Sequence, residues 1–252
     1  MAAFDFRPRS NTELLDASVE FIRGHFGSLA AVVAVGQIPT LALTLLFPPS
    51  PSDPFLRFRV QPAIAILQVV LTLWLAVTTS VAFAYVVNDL IHGRAPSLSG
   101  AITKSLGRSP AALVMLLATY IVFMLWAMLF FFPFIWAYAR YFATIPAFAI
   151  EGLGPFAAIR RSKELAKKNN GRALALGMVP LIVFTVIVVI VQQGLLATGA
   201  GIRGAQIVSS VLSIALYPFI MVPAIFLYYD LRTRREGLDL DFATLPPPSA
   251  AA

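Results

Sequence analysis

Residues 199–204 read GAGIRG and match G-x-G-x-x-G letter for letter. A dinucleotide site needs that motif to follow a strand and open a helix in a βαβ unit. Here it joins two long apolar runs, so the glycines read more simply as a tight turn. Other chemistry is equally short of parts. There is no cysteine, which excludes disulfides and thiolate metal sites. The two histidines, His25 and His92, are far apart, and each stands at the edge of an apolar run. Metal-dependent phosphodiester cleavage needs convergent carboxylates or histidines. The twelve acids instead lie scattered along one boundary, with Asp53 alone on the other side. Serine chemistry needs a base within reach, and none is in view. The expectation is a chain that is not an enzyme and binds no cofactor or metal.

Two cationic features remain. Residues 154–178 read GPFAAIRRSKELAKKNNGRALALGM, in which Arg160, Arg161, Lys163, Lys167, Lys168 and Arg172 accompany one acid, Glu164. The other is Arg140, isolated within an apolar run. Counting back at 1.5 Å per residue puts it ~16 Å from the end of that run, near a bilayer midplane. Gln37, Thr79, Thr144 and Tyr217 come out at comparable depths, and prolines 39, 180, 218 and 223 free carbonyls that can accept from a guanidinium. These five residues form a candidate intramembrane polar site. Arg140 is open to three readings: it snorkels outward, it anchors a structural hydrogen-bond hub, or it binds a headgroup or substrate.

The elements that hold these residues follow from composition. The chain has 252 residues, 59% of them hydrophobic and only 12% charged, with mean hydropathy +0.82. Soluble domains carry about 45–50% apolar and about 25% charged residues. Crossing a bilayer takes about 20 apolar residues, and runs at 29–47, 63–90, 111–132, 134–150, 173–197 and 207–229 meet or approach that length. Lipid offers unpaired backbone no partner, so all six are expected to be helices. With the N-terminus inside, fifteen of the nineteen Lys and Arg residues fall on the cytoplasmic side, three (Arg57, Arg59 and Arg203) fall outside, and Arg140 lies within a span. That bias orients the chain with both termini cytoplasmic. It also redirects the net charge of +7, which would otherwise suggest nucleic acid, toward a membrane surface. The acids among the first 28 residues do not suit a cleavable signal, so the first run is expected to stay as an anchor.

Three short amphipathic stretches lead into pairs of spans. Ser10-Asn11-Thr12-Glu13 is a capping box, followed by an apolar face of Leu14, Leu15, Phe21, Ile22 and Phe26. After Pro96, Leu98, Ala101, Ile102, Ser105 and Leu106 recur at helical spacing. Across 155–169, Ala158, Ile159, Ser162, Leu165 and Ala166 share one face and the cations the other, with Glu164 spaced to pair with Arg160 and Lys168. Such helices are expected to lie in the interface as elbows, with Lys163, Lys167 and Lys168 on anionic phospholipid headgroups. The second span of each pair ends in an acid beside cations: Asp89 with Arg94, Glu151 with Arg160 and Arg161, Asp230 with Arg232 and Arg234. These are expected to form ion pairs at the inner boundary.

The stretch RYFATIPAFAIEGLGPFAAIRRSKELAKKN resembles the bacterial family named for the membrane domain of glycerophosphoryl diester phosphodiesterases. FRPRSNTELLDASVEFIRGHF and LYYDLRTRREGLDLDF are similar to that family's two ends. The resemblance implies an all-α, six-helix module of the bacterial inner membrane, here without a catalytic domain, so no activity is inherited from the family name. The expected organisation is a cytoplasmic segment over 1–28, a membrane domain over 29–230 and a partly disordered cytoplasmic tail over 231–252. The expected role is a non-catalytic accessory or scaffold protein whose partners are the lipid bilayer, anionic headgroups or a membrane protein. A transporter or lipid translocator using the Arg140 layer is the alternative.

Overall fold

Ser10 opens the first helix as a capping box: its hydroxyl accepts from the Glu13 amide (3.2 Å) and the Glu13 carboxylate accepts from its own amide (2.7 Å). The computed structural model describes residues 7–48, 55–129, 131–199 and 201–236. Asp53 and the tail beyond Glu236 lie outside them. In chain order the elements are α1 (Asn11–Leu46), α2 (Leu56–Val60), α3 (Pro62–Ile91), α4 (Leu98–Gly107), α5 (Ser109–Leu129), α6 (Phe131–Tyr141), α7 (Thr144–Ile150), α8 (Pro155–Ala166), α9 (Asn170–Ala173), a π-helical turn (Leu174–Met178), α10 (Val179–Ala197), α11 (Gly201–Leu216) and α12 (Pro218–Glu236). The chain is all-helical among the described residues, and five of its helices are long and apolar enough to cross a membrane.

The fourth expected span does not form one helix. Over 134–150 the chain is divided between α6 and α7, with a turn at Phe142–Ala143. Pro146 is the local cause, since it cannot donate to the carbonyl four residues back and its ring crowds it. The break is filled from outside. The Ser162 hydroxyl on α8 accepts from the Ala143 amide (3.1 Å) and donates to the Arg140 carbonyl (2.9 Å), serving backbone groups the helix no longer serves.

The first amphipathic stretch is continuous with the first span, α1 bending at His25 (φ −129°, ψ 17°). Its buried face is Leu14, Ser18 and Ile22, whereas Leu15 and Phe26 stay exposed. The basic stretch forms α8 and stops at Ala166, three residues earlier than its pattern suggests, because Lys168 turns to φ 71°. Two of its last carbonyls, those of Glu164 and Lys167, accept from the Arg235 guanidinium on α12. The apolar face of α8 is covered by protein rather than left for lipid, with Ala158, Ile159, Ser162, Leu165 and Ala166 all buried. Small residues at three of these positions let the helix lie close against its neighbours.

The core lies at the end of the bundle that holds α4, α8 and most of α12. In α3, Val81 to Val87 is buried throughout, while Ile64, Ile66, Leu67 and Val70 are exposed. In α12, Ile220 to Leu231 is buried without interruption. By contrast α10 buries no residue and turns Ile182, Val186 and Ile190 outward. Apolar surface of that extent on spanning helices is what contact with lipid tails requires.

One contact sets the distance between α1 and α3. A Cβ added at Gly36 would come within 1.8 Å of the Thr79 hydroxyl and 2.9 Å of its Cβ. We therefore expect Gly36→Ala to cost about 1–3 kcal/mol by overpacking, read as a lower unfolding temperature in detergent. Adding Thr79→Ala should recover part of the loss. An unchanged melting temperature for Gly36→Ala would show that α1 and α3 do not approach this closely.

Candidate functional site

Asp230 is the most deeply buried charge among the described residues, its side chain 1% exposed. It lies in α12, and its carboxylate accepts from Arg172 (2.8 Å), from Arg234 (2.8 Å) and from the Arg9 amide (2.8 Å). The same two arginines both donate to the Arg9 carbonyl, and Arg172 also donates to the Asn11 side chain (2.8 Å). The knot joins the N-terminal segment, α9 and α12. Arg234 was within sequence reach, but Arg232 turns elsewhere. On a helix, residues four apart share a face and residues two apart do not.

Arg232 joins the second cluster. Glu151, at the end of α7, accepts from Arg161 Nε (3.0 and 2.9 Å) and from the Tyr228 hydroxyl (2.7 Å), with Arg232 Nε at 3.7 Å. Glu236 bridges Arg161 and Arg232, the latter at 2.9 Å. Burial alone would disfavour the Arg161 cation, but the two carboxylates outweigh it and hold its pKa above the ordinary arginine value. A third pair, Asp89 with Arg94 (2.8 Å), is more exposed. Asn88 beside it accepts from the Tyr229 hydroxyl, tying α3 to α12.

Other cations of the basic stretch take no such part. Arg160, Lys163, Lys167 and Lys168 are exposed and form no ion pair among the described residues. The expected pairing of Glu164 with Arg160 and Lys168 is not formed among them either. Lys168 has left the helix, so the four-residue spacing no longer places it beside Glu164.

No hydrogen bond links the five residues of the candidate intramembrane site to one another among the described residues. Thr79 donates to the Leu75 carbonyl (2.7 Å), Thr144 to the Tyr141 carbonyl (2.8 Å), and Gln37 is half-buried beside Gly36. The Tyr217 hydroxyl shares a hydrogen bond with Ser80 (2.8 Å), a bridge between α3 and the turn before α12. Arg140 meets none of them. Its guanidinium lies flat on the Trp136 ring, Cζ 3.4 Å from the centroid, and makes no hydrogen bond or ion pair among the described residues. The chain leaves the helix two residues after Arg140, and the Arg140 carbonyl is held by Ser162 of α8.

Sequence reasoning missed several members of this layer. Arg108 donates to the Phe148 carbonyl (2.7 Å) and the Leu153 carbonyl (2.5 Å) and stacks on Phe148 (4.0 Å), pinning both ends of the α7–α8 connection. Arg172, Tyr228, Arg235 and Glu236 find partners 58 or more residues away, and no local pattern marks those contacts. Among the described residues no group of three His, Asp or Glu side chains is placed to hold a metal. No protein-family model, curated protein or solved structure matches the chain.

The exposure difference between the acids makes a test. Removing one partner of a buried pair costs about 3–5 kcal/mol because the other charge is stranded, whereas exposed pairs contribute at most about 1 kcal/mol. Asp230→Ala should sharply lower the unfolding temperature and the yield of folded protein, and Asp89→Ala should change either only slightly. Equal losses from the two variants would show that Asp230 is not the structural tie.

Proposed function

We propose that this chain is a non-catalytic, multi-pass protein of the bacterial inner membrane that gathers anionic phospholipid against its cytoplasmic face. The observation that carries the reading is the division of labour on α8. One face is locked into the bundle through Ser162, Leu165 and Ala166, so the helix cannot turn. The opposite face presents Arg160, Lys163 and Lys167, none ion-paired within the described residues. Each Lys or Arg held near an anionic surface is worth about 1 kcal/mol. A scaffold of this kind positions lipid without chemistry, which suits a layer whose carboxylates are already committed to arginines.

In this reading the N- and C-terminal segments are both cytoplasmic, and α6 with α7 completes the even number of crossings that the charge bias requires. The α4 and α8 helices are the elbows. Transport through an Arg140 layer has less support, because no hydrogen bond links Arg140, Gln37 and Tyr217 among the described residues. The likeness of residues 140–169 to a phosphodiesterase-associated membrane domain lends the reading a bacterial setting but no activity.

Two measurements test it. Native mass spectrometry of the purified protein should show phosphatidylglycerol or cardiolipin retained in preference to phosphatidylethanolamine. Retention in proportion to the bulk membrane would end the lipid-gathering reading. For orientation, the absence of native cysteine allows single cysteines at Thr198 and Ser99. An impermeant thiol reagent should label Thr198→Cys in intact cells and leave Ser99→Cys untouched, and the reverse pattern would invert the topology.

A further inference from the structure

Arg140 is half-buried, permanently charged, and left without an anion among the described residues. Four other sheltered arginines are held by protein: Arg161 and Arg232 by carboxylates, Arg172 by Asp230, Arg108 by two carbonyls. A sheltered charge without a partner is costly, so the chain tolerates Arg140 where an anion reaches it from outside.

The surroundings are built to present it. Stacking on Trp136 occupies the flat face of the guanidinium and leaves the N–H donors around its edge free. Trp136 is itself held: its ring meets Trp126 edge-on (5.5 Å between centroids), and with the Asn170 amide turned to suit both neighbours, its indole N–H donates to Asn170 (3.2 Å). Ser162 clamps the Arg140 carbonyl to α8, and the next residue, Lys163, reaches over the ring of Tyr141, the residue after Arg140 (5.3 Å). A cation from α6 and one from α8 thus rest on rings of the same helix next to the break, Arg140 on Trp136 and Lys163 over Tyr141, and no carboxylate pairs with either of them among the described residues.

We propose that Arg140 and Lys163 form a discrete site for the phosphate of one anionic phospholipid, with Trp136 as its platform. This rests on the proposed gathering of anionic lipid and locates within it a single ordered lipid, distinct from those attracted diffusely by the outer face of α8. A guanidinium matches two phosphate oxygens with paired N–H donors, and the ammonium adds a point charge. The depth suits a lipid phosphate, since α8 lies at the boundary where headgroups sit.

The experiment measures short-chain phosphatidylglycerol and phosphatidylcholine binding to the purified full chain in neutral detergent, by native mass spectrometry with thermal shift. The unaltered protein should hold one phosphatidylglycerol in preference to phosphatidylcholine. Arg140→Gln should weaken that binding about tenfold or more, as loss of a charge-assisted contact does. It should leave the lipid-free melting temperature nearly unchanged, because the side chain has no hydrogen-bond partner in the described protein. Arg140→Lys, which keeps charge but not the flat stack, should fall between and serves if the glutamine variant misfolds. Replacing Arg160, Lys167 and Lys168 together by glutamine should reduce the number of loosely held lipids and leave the single tight one. Preference for phosphatidylglycerol retained in full by Arg140→Gln and lost in the triple variant overturns this site while the lipid-gathering reading stands. No preference in the unaltered protein overturns both. Displacement of the lipid by millimolar inorganic phosphate would assign the site to a soluble anion instead.

Discussion

The carboxylate of Asp230, shut away from water between Arg172, Arg234 and the Arg9 amide, is the contact on which the packed end of the molecule depends. An ion pair so sheltered is expensive to assemble, because each charge gives up its hydration. Here the cost is offset by geometry, with three donors on one carboxylate and the two guanidiniums returning to the Arg9 carbonyl. What the arrangement secures is register. The segment around Arg9, the short α9 and the long α12 can be brought together in only one way if all of these groups are to be satisfied.

A second constraint acts through size. Helices in a membrane gain nothing from hiding apolar surface from lipid tails, so they associate where small residues let backbones approach. Gly36 against Thr79 joins α1 to α3, and Gly177 meets the Tyr138 ring, where a Cβ would stand 3.2 Å away. Ala158, Ser162 and Ala166 do the same for α8. Ser162 adds hydrogen bonds to close packing, so a helix that could have floated in the interface is instead an integral part of the bundle.

Together these constraints produce a lopsided molecule. One half is packed, hydrogen-bonded and ion-paired, while the other exposes apolar side chains along α3, α5 and α10. The cations also divide. Arg108, Arg161, Arg172 and Arg234 are consumed by structure, whereas Arg140 and the exposed face of α8 form no ion pair among the described residues.

The sequence alone determined the class of molecule. Apolar runs of spanning length, a sparse and one-sided set of charges and the capping box at Ser10 each follow from the chemistry of nearby residues, and none needs a distant partner. The Asp89–Arg94 pair and the i,i+4 pair of Asp230 with Arg234 were legible for the same reason. Pro146 lies in the fourth run and is a local signal for its break. Only the tertiary structure decided which charges are spent. Arg172 meets Asp230 across 58 positions of sequence and Tyr228 meets Glu151 across 77, and helical spacing is silent about such contacts. It likewise placed Ser162 in the break, where it holds the Arg140 carbonyl. Side-chain periodicity reports which face of a helix is buried, but not what it is buried against.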